Sequence, residues 1–131
     1  MTPVFADSFY FIALLNERDR MHVRAAEFER ALEQPLITTS WILTEVADAG
    51  LPNRIKVARF IQGLLKFPMV QVEPFSQELF ERGLELYLKR PDKEWSLTDC
   101  ISFVVMEDEE ISDALTGDKH FEQAGFNALL K

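Results

Sequence analysis

The chain alternates short apolar runs with longer segments in which apolar residues recur at helical spacing. The short runs predict strands at residues 3–6, 36–39, 69–72, 113–116 and 126–130. The longer segments predict helices at residues 9–16, 22–34, 41–49, 76–90 and 97–106, one that begins at Pro52, and a short one between Asp118 and Gly125. Strands that alternate with helices are typical of a parallel sheet covered on both faces. The pattern therefore predicts an α/β protein with a central parallel sheet flanked by helices.

Polar residues at the ends of these segments support the boundaries. Ser40, Ser96 and Asp118 precede three of the helices, where a side-chain oxygen accepts a hydrogen bond from the first turn. Gly50 and Pro91 are expected to end two of them. In the amphipathic helix at 76–90, the residues expected to face the core are Leu79, Phe80, Gly83, Leu84 and Tyr87.

The composition indicates one folded domain that spans residues 1–131. A chain of 131 residues with 47% hydrophobic content can bury a core of its own. Cys100 is the only cysteine, so it can form neither an intramolecular disulfide nor a cysteine-based zinc site. No apolar run approaches the roughly 18 residues that a membrane span needs. We therefore expect a reduced, cytoplasmic protein that does not enter a membrane.

The charge argues against a protein that holds nucleic acid by bulk positive charge. Fourteen basic and 22 acidic residues give a formal net charge of -8. Residues 51–70 are the exception, since they carry four basic side chains and no acidic one. Arg54, Lys56 and Arg59 in this stretch, with Lys119 farther along, are candidates for contacts with RNA phosphates. The alternative for the basic stretch is an ordinary solvated helix face, and Lys119 equally suits the surface of a short helix.

Four acidic residues lie where function collects in a parallel sheet, at the carboxyl ends of the strands. Asp7 follows the first strand, Asp118 follows the strand at 113–116, and Asp99 lies in the first turn of a helix. Each of these three also has an ordinary explanation as a cap or turn residue. Glu45 is harder to explain in that way, because it shares the apolar face of its helix and a buried carboxylate needs a partner.

If the four junctions converge, their carboxylates need a countercharge. Two unit charges 4 Å apart repel by about 4 kcal/mol at an effective dielectric constant near 20. An all-oxygen cluster favours a hard cation, Mg²⁺ or Mn²⁺, over zinc. Such an ion binds phosphate oxygens and activates water, so the chemistry that it suggests is phosphodiester hydrolysis.

Four sequence motifs resemble the PIN domain, and within it the VapC-like toxin ribonucleases of type II toxin–antitoxin pairs. The resemblance covers essentially the whole chain from Asp7 onward. The motifs are FADS at residues 5–8, LTEV at 43–46, SLTDC at 96–100 and ALTGDKHF at 114–121. It implies a three-layer α/β/α fold and Mg²⁺- or Mn²⁺-dependent cleavage of RNA by an acidic pocket.

The resemblance also implies roles for individual residues. Asp7, Asp99 and Asp118 would be the principal metal ligands, and Glu45 would complete the catalytic pocket directly or through water. The residues in supporting positions would be Ser8, Ser96 and Thr116.

The same resemblance implies partners: an RNA substrate, a small antitoxin protein and a second copy in a homodimer. The grooves between the early helices are candidate docking sites for an amphipathic antitoxin segment. Two other functions stay open at this point. One is a PIN-fold regulatory or binding module without toxin activity, and the other is a metal-dependent nuclease of RNA maintenance or of DNA.

Overall fold

A five-stranded sheet in the order β3-β2-β1-β4-β5 forms the centre of the protein, and every pair of neighbouring strands is parallel. The computed structural model describes residues 1–50 and 53–131. The strands are β1 Val4–Ala6, β2 Leu36–Thr39, β3 Val70–Glu73, β4 Asp113–Leu115 and β5 Asn127–Ala128. The helices are α1 Ser8–Leu15, α2 His22–Ala31, α3 Ser40–Ala49, α4 Arg54–Lys66, α5 Gln77–Lys89, α6 Leu97–Asp108 and α7 Lys119–Gln123. The predicted α/β architecture is confirmed.

Strand β1 lies in the middle of the sheet because its residues are apolar on both sides. Val4, Phe5 and Ala6 are all buried, as a strand covered by helices on two faces requires. Phe5 pairs with Ile37 of β2 and with Ala114 of β4. The residue that follows β1 therefore emerges at the centre of the carboxyl edge of the sheet.

An aromatic cluster fixes the position of α7 against α6. Phe103 of α6 packs edge-to-face on Phe121 of α7, with ring centroids 5.0 Å apart. Trp95 and Phe126 contact the same Phe103 ring. Because both Phe103 and Phe121 are buried, the N-terminal ends of the two helices are held in a fixed relation.

Two details of the prediction are wrong. Ser40 is the first residue of α3, and its predicted capping role belongs to Thr39, whose side chain accepts a hydrogen bond from the Ile42 amide at 3.1 Å. On α5 only Gly83 of the expected inward face is buried, while Phe80, Leu84 and Tyr87 are exposed. The apolar stripe of α5 therefore extends beyond the side that packs on the core. The predicted helix start at Pro52 lies outside the described residues.

No helix in the described ranges combines the length and the apolar character that crossing a bilayer would require.

Candidate active site

Asp7 is the most deeply buried acid of the four. It follows β1 directly, its amide lies 3.4 Å from the Leu115 carbonyl oxygen of β4, and only 5% of its surface is exposed. The Thr116 hydroxyl donates a 2.8 Å hydrogen bond to Asp7 Oδ2. The same hydroxyl oxygen accepts the Asp118 amide at 3.1 Å. Thr116 thus connects the ends of β1 and β4 and joins two of the predicted ligands.

Asp99 is fixed by the first turn of α6 through a reciprocal capping box. The Ser96 hydroxyl accepts the Asp99 amide at 3.0 Å, and the Ser96 amide donates to Asp99 Oδ2 at 3.1 Å. The predicted cap at Ser96 is confirmed. The second of these bonds also holds the carboxylate in one orientation, toward α7.

Asp118 caps α7, as the sequence predicts, and its Oδ1 accepts the His120 amide at 2.9 Å. The His120 ring lies between Asp118 and Asp99. Its Nδ1 is 3.2 Å from Asp99 Oδ2 and 3.4 Å from Asp118 Oδ1. One ligand atom from each of the three residues lies within 4.8 Å of the others, a grouping compact enough to hold a metal ion.

Glu45 reaches the same region from the second turn of α3 and is half-buried. Burial raises the pKa of its carboxyl group, the nearby Ser8 side chain opposes that change, and the charges of Asp99 and Asp118 raise the pKa further. Glu45 therefore interacts electrostatically with both acids. Like Asp7, it lies outside the compact group of three.

The electrostatics show buried carboxylates whose nearest basic side chain is His120. Burial raises the pKa of Asp7 to about 7; its hydrogen bond with Thr116 opposes this shift, and the charge of Asp99 adds to it. Burial also raises the pKa of Asp99; the hydrogen bond from the Ser96 amide and the contact with His120 oppose this rise, and the charge of Asp118 adds to it. Among the described residues, no lysine or arginine forms an ion pair with the four acids. Such a cluster favours a bound cation.

The oxygen atoms left free suit a hard cation. The hydrogen bonds of Asp99 and Asp118 engage Oδ2 of the first and Oδ1 of the second. Within the described residues, no hydrogen bond reaches Asp99 Oδ1 or Asp118 Oδ2. Carboxylate oxygens are the ligands that Mg²⁺ and Mn²⁺ prefer, so the donor set fits a divalent ion of this class.

In the part of the chain that the structure describes, none of the four predicted RNA contacts forms an ion pair with the acids of the candidate site: three of them are on α4, and the fourth begins α7. The side chains of Arg54, Lys56 and Arg59 are exposed on α4, and Lys56 Nζ donates to the Leu15 carbonyl oxygen at 2.9 Å. Lys119 is exposed at the start of α7, next to Asp118. The structure leaves all four available to a ligand and shows none of them among the acids.

The contact of His120 with Asp99 is the feature that the sequence did not predict. The position of His120, two residues after Asp118, is the only sign in the sequence that it lies near the acids. Its contact with Asp99 spans 21 residues of sequence and depends on the packing of α6 against α7. No periodicity in the sequence reports such a contact.

Comparison with solved structures supports the fold. The crystal structure described as Mycobacterium tuberculosis VapC20, a sarcin-ricin loop cleaving toxin, superimposes with a TM-score of 0.88 at 24% sequence identity. The match covers 96% of this chain and 98% of that one.

Comparisons with curated sequences and with models of protein families identify relatives and a family. Two relatives, from two strains of M. tuberculosis, are named 23S rRNA-specific endonuclease VapC20 and are 27% identical over 126 residues. The alignments cover 94% of this chain and 95% of the relatives. The PIN domain family matches residues 4–127. The chain therefore belongs to the PIN domain family.

Proposed function

We propose that this protein is an endoribonuclease that hydrolyses RNA phosphodiester bonds with Mg²⁺ or Mn²⁺ and acts as the toxin of a toxin–antitoxin pair. The observation that carries the proposal is the convergence of four acids at the carboxyl edge of a PIN-fold sheet: Asp99 and Asp118 share one compact group, and their charges act on Glu45 and, from Asp99, on Asp7. Relatives that match nearly the full chain are named as endonucleases. A regulatory module without activity would not need four clustered acids that have no lysine or arginine partner among the described residues.

The residues of the pocket would have two kinds of role, to hold the cation and to orient the carboxylates that hold it. Asp99 and Asp118 would hold the divalent cation with Asp7, while Glu45 would complete the site directly or through water. When bound, the cation would supply a Lewis acid for the phosphate and an activated water. Ser96 and Thr116 keep the Asp99 and Asp7 carboxylates oriented through the hydrogen bonds described above, and the Ser8 side chain would support Glu45.

The first RNA to test is 23S ribosomal RNA, since the relatives are named for that substrate. The exposed side chains of Arg54, Lys56, Arg59 and Lys119 are proposed as phosphate contacts. With a net charge of -8, the protein would depend on such local contacts and on the cation, because its overall field repels RNA.

Two protein partners are proposed. An apolar groove of about 350 Å³ runs between α1, α2 and α4, and its walls include Phe11, Leu32 and Phe60. This groove suits an amphipathic antitoxin segment. A second copy of the chain is proposed to cover the exposed apolar residues of α5 in a homodimer. The cytoplasmic location stays a prediction based on the single cysteine, Cys100, which is buried.

Cleavage of purified 23S RNA and of total RNA, with Mn²⁺ and with EDTA, tests the proposal. The wild type should cut only with the ion, and Asp99→Asn should be inactive although it folds. Asp113→Asn is the matched control, since Asp113 lies on β4 but bonds the Asn127 side chain away from the cluster. Cleavage by Asp99→Asn at the wild-type rate, or full activity in EDTA, would contradict the proposal.

A calorimetric readout tests the pocket without RNA. Mn²⁺ should raise the melting temperature of the wild type, because the ion binds the native state and relieves the clustered charge. The increase should be much smaller in Asp99→Asn and unchanged in Asp113→Asn. A wild type that Mn²⁺ does not stabilise would count against a metal site at these acids.

A further inference from the structure

A single imidazole nitrogen faces two of the proposed metal ligands. His120 Nδ1 forms a 3.2 Å hydrogen bond with Asp99 Oδ2 and lies 3.4 Å from Asp118 Oδ1. The His120 amide donates to the same Asp118 oxygen at 2.9 Å. One residue therefore contacts both carboxylates, which come from segments 19 positions apart in the sequence.

The packing of α7 leaves the His120 ring little freedom. The neighbouring Phe121 is fully buried against Phe103 of α6 and Phe5 of β1. This anchor holds α7 against α6. The His120 side chain keeps only 20% of its surface exposed, so its ring is held in place between the two acids.

With its proton on Nδ1, the ring places one N–H between two carboxylates that repel each other. The hydrogen bond to Asp99 holds its Oδ2. The contact with Asp118 is to Oδ1, the same oxygen that accepts the His120 amide. The other two oxygens, Asp99 Oδ1 and Asp118 Oδ2, take part in none of these bonds. The orientation of both ligands is thereby set before an ion arrives, which is how groups behind a metal ligand raise its affinity.

We propose that His120 is a positioning residue of the metal pocket, which holds the Asp99 and Asp118 carboxylates in the geometry that binds the cation. The inference rests on the proposed function, because it assigns these two acids to the cation. It differs from a ligand role for His120, in which Nδ1 itself would bind the ion.

Titration calorimetry with Mn²⁺ on the full chain tests this role with three variants. His120→Ala removes the donor and should weaken Mn²⁺ binding by about tenfold or more. His120→Asn keeps an N–H donor near the position of Nδ1 and should restore most of the affinity. His22→Asn, a change in the only other histidine of the chain, should bind Mn²⁺ like the wild type, since His22 contacts the Ala13 carbonyl oxygen instead.

Pulsed paramagnetic resonance of the Mn²⁺-loaded wild type separates positioning from ligation. No strong ¹⁴N coupling from a directly bound imidazole is expected. Such a coupling, lost in His120→Ala, would overturn the positioning role and make His120 a ligand.

Wild-type affinity in His120→Ala would also overturn the inference, as would a His120→Asn variant as weak as His120→Ala. If the wild type bound no Mn²⁺ at all, the proposed function would fail and this inference with it. Normal wild-type binding with an unaffected His120→Ala would remove only the inference.

Discussion

Asp7 is an ionisable group at the end of the central strand, where burial disfavours its charge, since only 5% of its surface is exposed. Burial raises its pKa from 3.8 to about 7, and the hydrogen bond from Thr116 offsets only part of this shift. Between these two values the folded protein binds the proton and the unfolded chain releases it. The free energy of unfolding should therefore fall as the pH rises through this range.

Asp7→Asn should remove that dependence, because an amide has no proton to lose and its oxygen can still accept the Thr116 hydroxyl. In EDTA at pH 8 the variant should be more stable than the wild type, by up to about 4 kcal/mol. Urea unfolding between pH 4 and pH 8 measures the difference. Asp113→Asn should keep the wild-type slope, and an unchanged slope in Asp7→Asn would show that Asp7 is ionised throughout.

The individual acids could be predicted from the sequence, whereas the histidine that contacts two of them could not. Asp7, Asp99 and Asp118 each stand at a strand-to-helix junction that apolar patterning reveals. The His120 contact depends on how α7 sits on α6, through the buried Phe103–Phe121 pair. A side chain positioned by such packing leaves no periodic signal.

At the scale of the element, the capping box of α6 serves the site as well as the helix. The Ser96 hydroxyl stabilises the first turn, and the Ser96 amide orients Asp99. The Ser76 hydroxyl caps α5 in the same way and accepts the Leu79 amide at 3.1 Å, but no acid of the pocket lies in its turn. The two serines thus form a natural pair of test and control.

Ser96→Ala and Ser76→Ala should each lower the free energy of unfolding by about 1 kcal/mol. Only Ser96→Ala should also slow RNA cleavage and weaken Mn²⁺ binding, because only Asp99 loses a constraint on its backbone. Unfolding curves and Mn²⁺ titrations on the same preparations measure both effects. Equal cleavage by the two variants would mean that the Ser96 cap is purely structural.

Helix α4 presents the one strongly basic stretch of an acidic chain. Charge reversal at Lys56 and Arg59 should weaken RNA binding and reduce its dependence on salt concentration, since fewer phosphates would release counterions. Reversal at the exposed residues Arg30 of α2 and Lys89 of α5 changes the net charge equally and serves as the control. Filter binding at several salt concentrations measures both. Equal losses in the two double variants would indicate a general charge effect.

Helix caps and faces show where the pattern stops being informative. Thr39 and Ser40 are adjacent hydroxyl residues, and which of them caps α3 depends on where the backbone of β2 turns. On α5, Gly83 packs on Ile101 of α6, while Leu84 beside it is 37% exposed. An amphipathic pattern records which residues avoid water. It does not distinguish a core from a surface that a partner covers.

At the scale of the whole molecule, α5 and the segment before it leave an apolar surface exposed. Its members are Phe75, Phe80, Leu84, Tyr87 and Leu88, exposed by 61%, 38%, 37%, 47% and 72%. Together these side chains present roughly 500 Å² of apolar surface, at the upper end of what monomers expose. Two such surfaces brought together would provide about 1,000 Å², near the lower limit of a stable interface.

If the homodimer forms through this surface of α5, polar substitutions there should separate the subunits. Wild-type protein should elute as a dimer in size-exclusion chromatography with light scattering, and a Leu84→Lys, Leu88→Lys variant should elute as a monomer, because two buried lysines would lack partners. Val23→Lys combined with Ile55→Lys is the control, since both residues are exposed apolar side chains on α2 and α4. A monomeric wild type would leave the α5 surface to another partner, and a dimeric lysine variant would place the interface elsewhere.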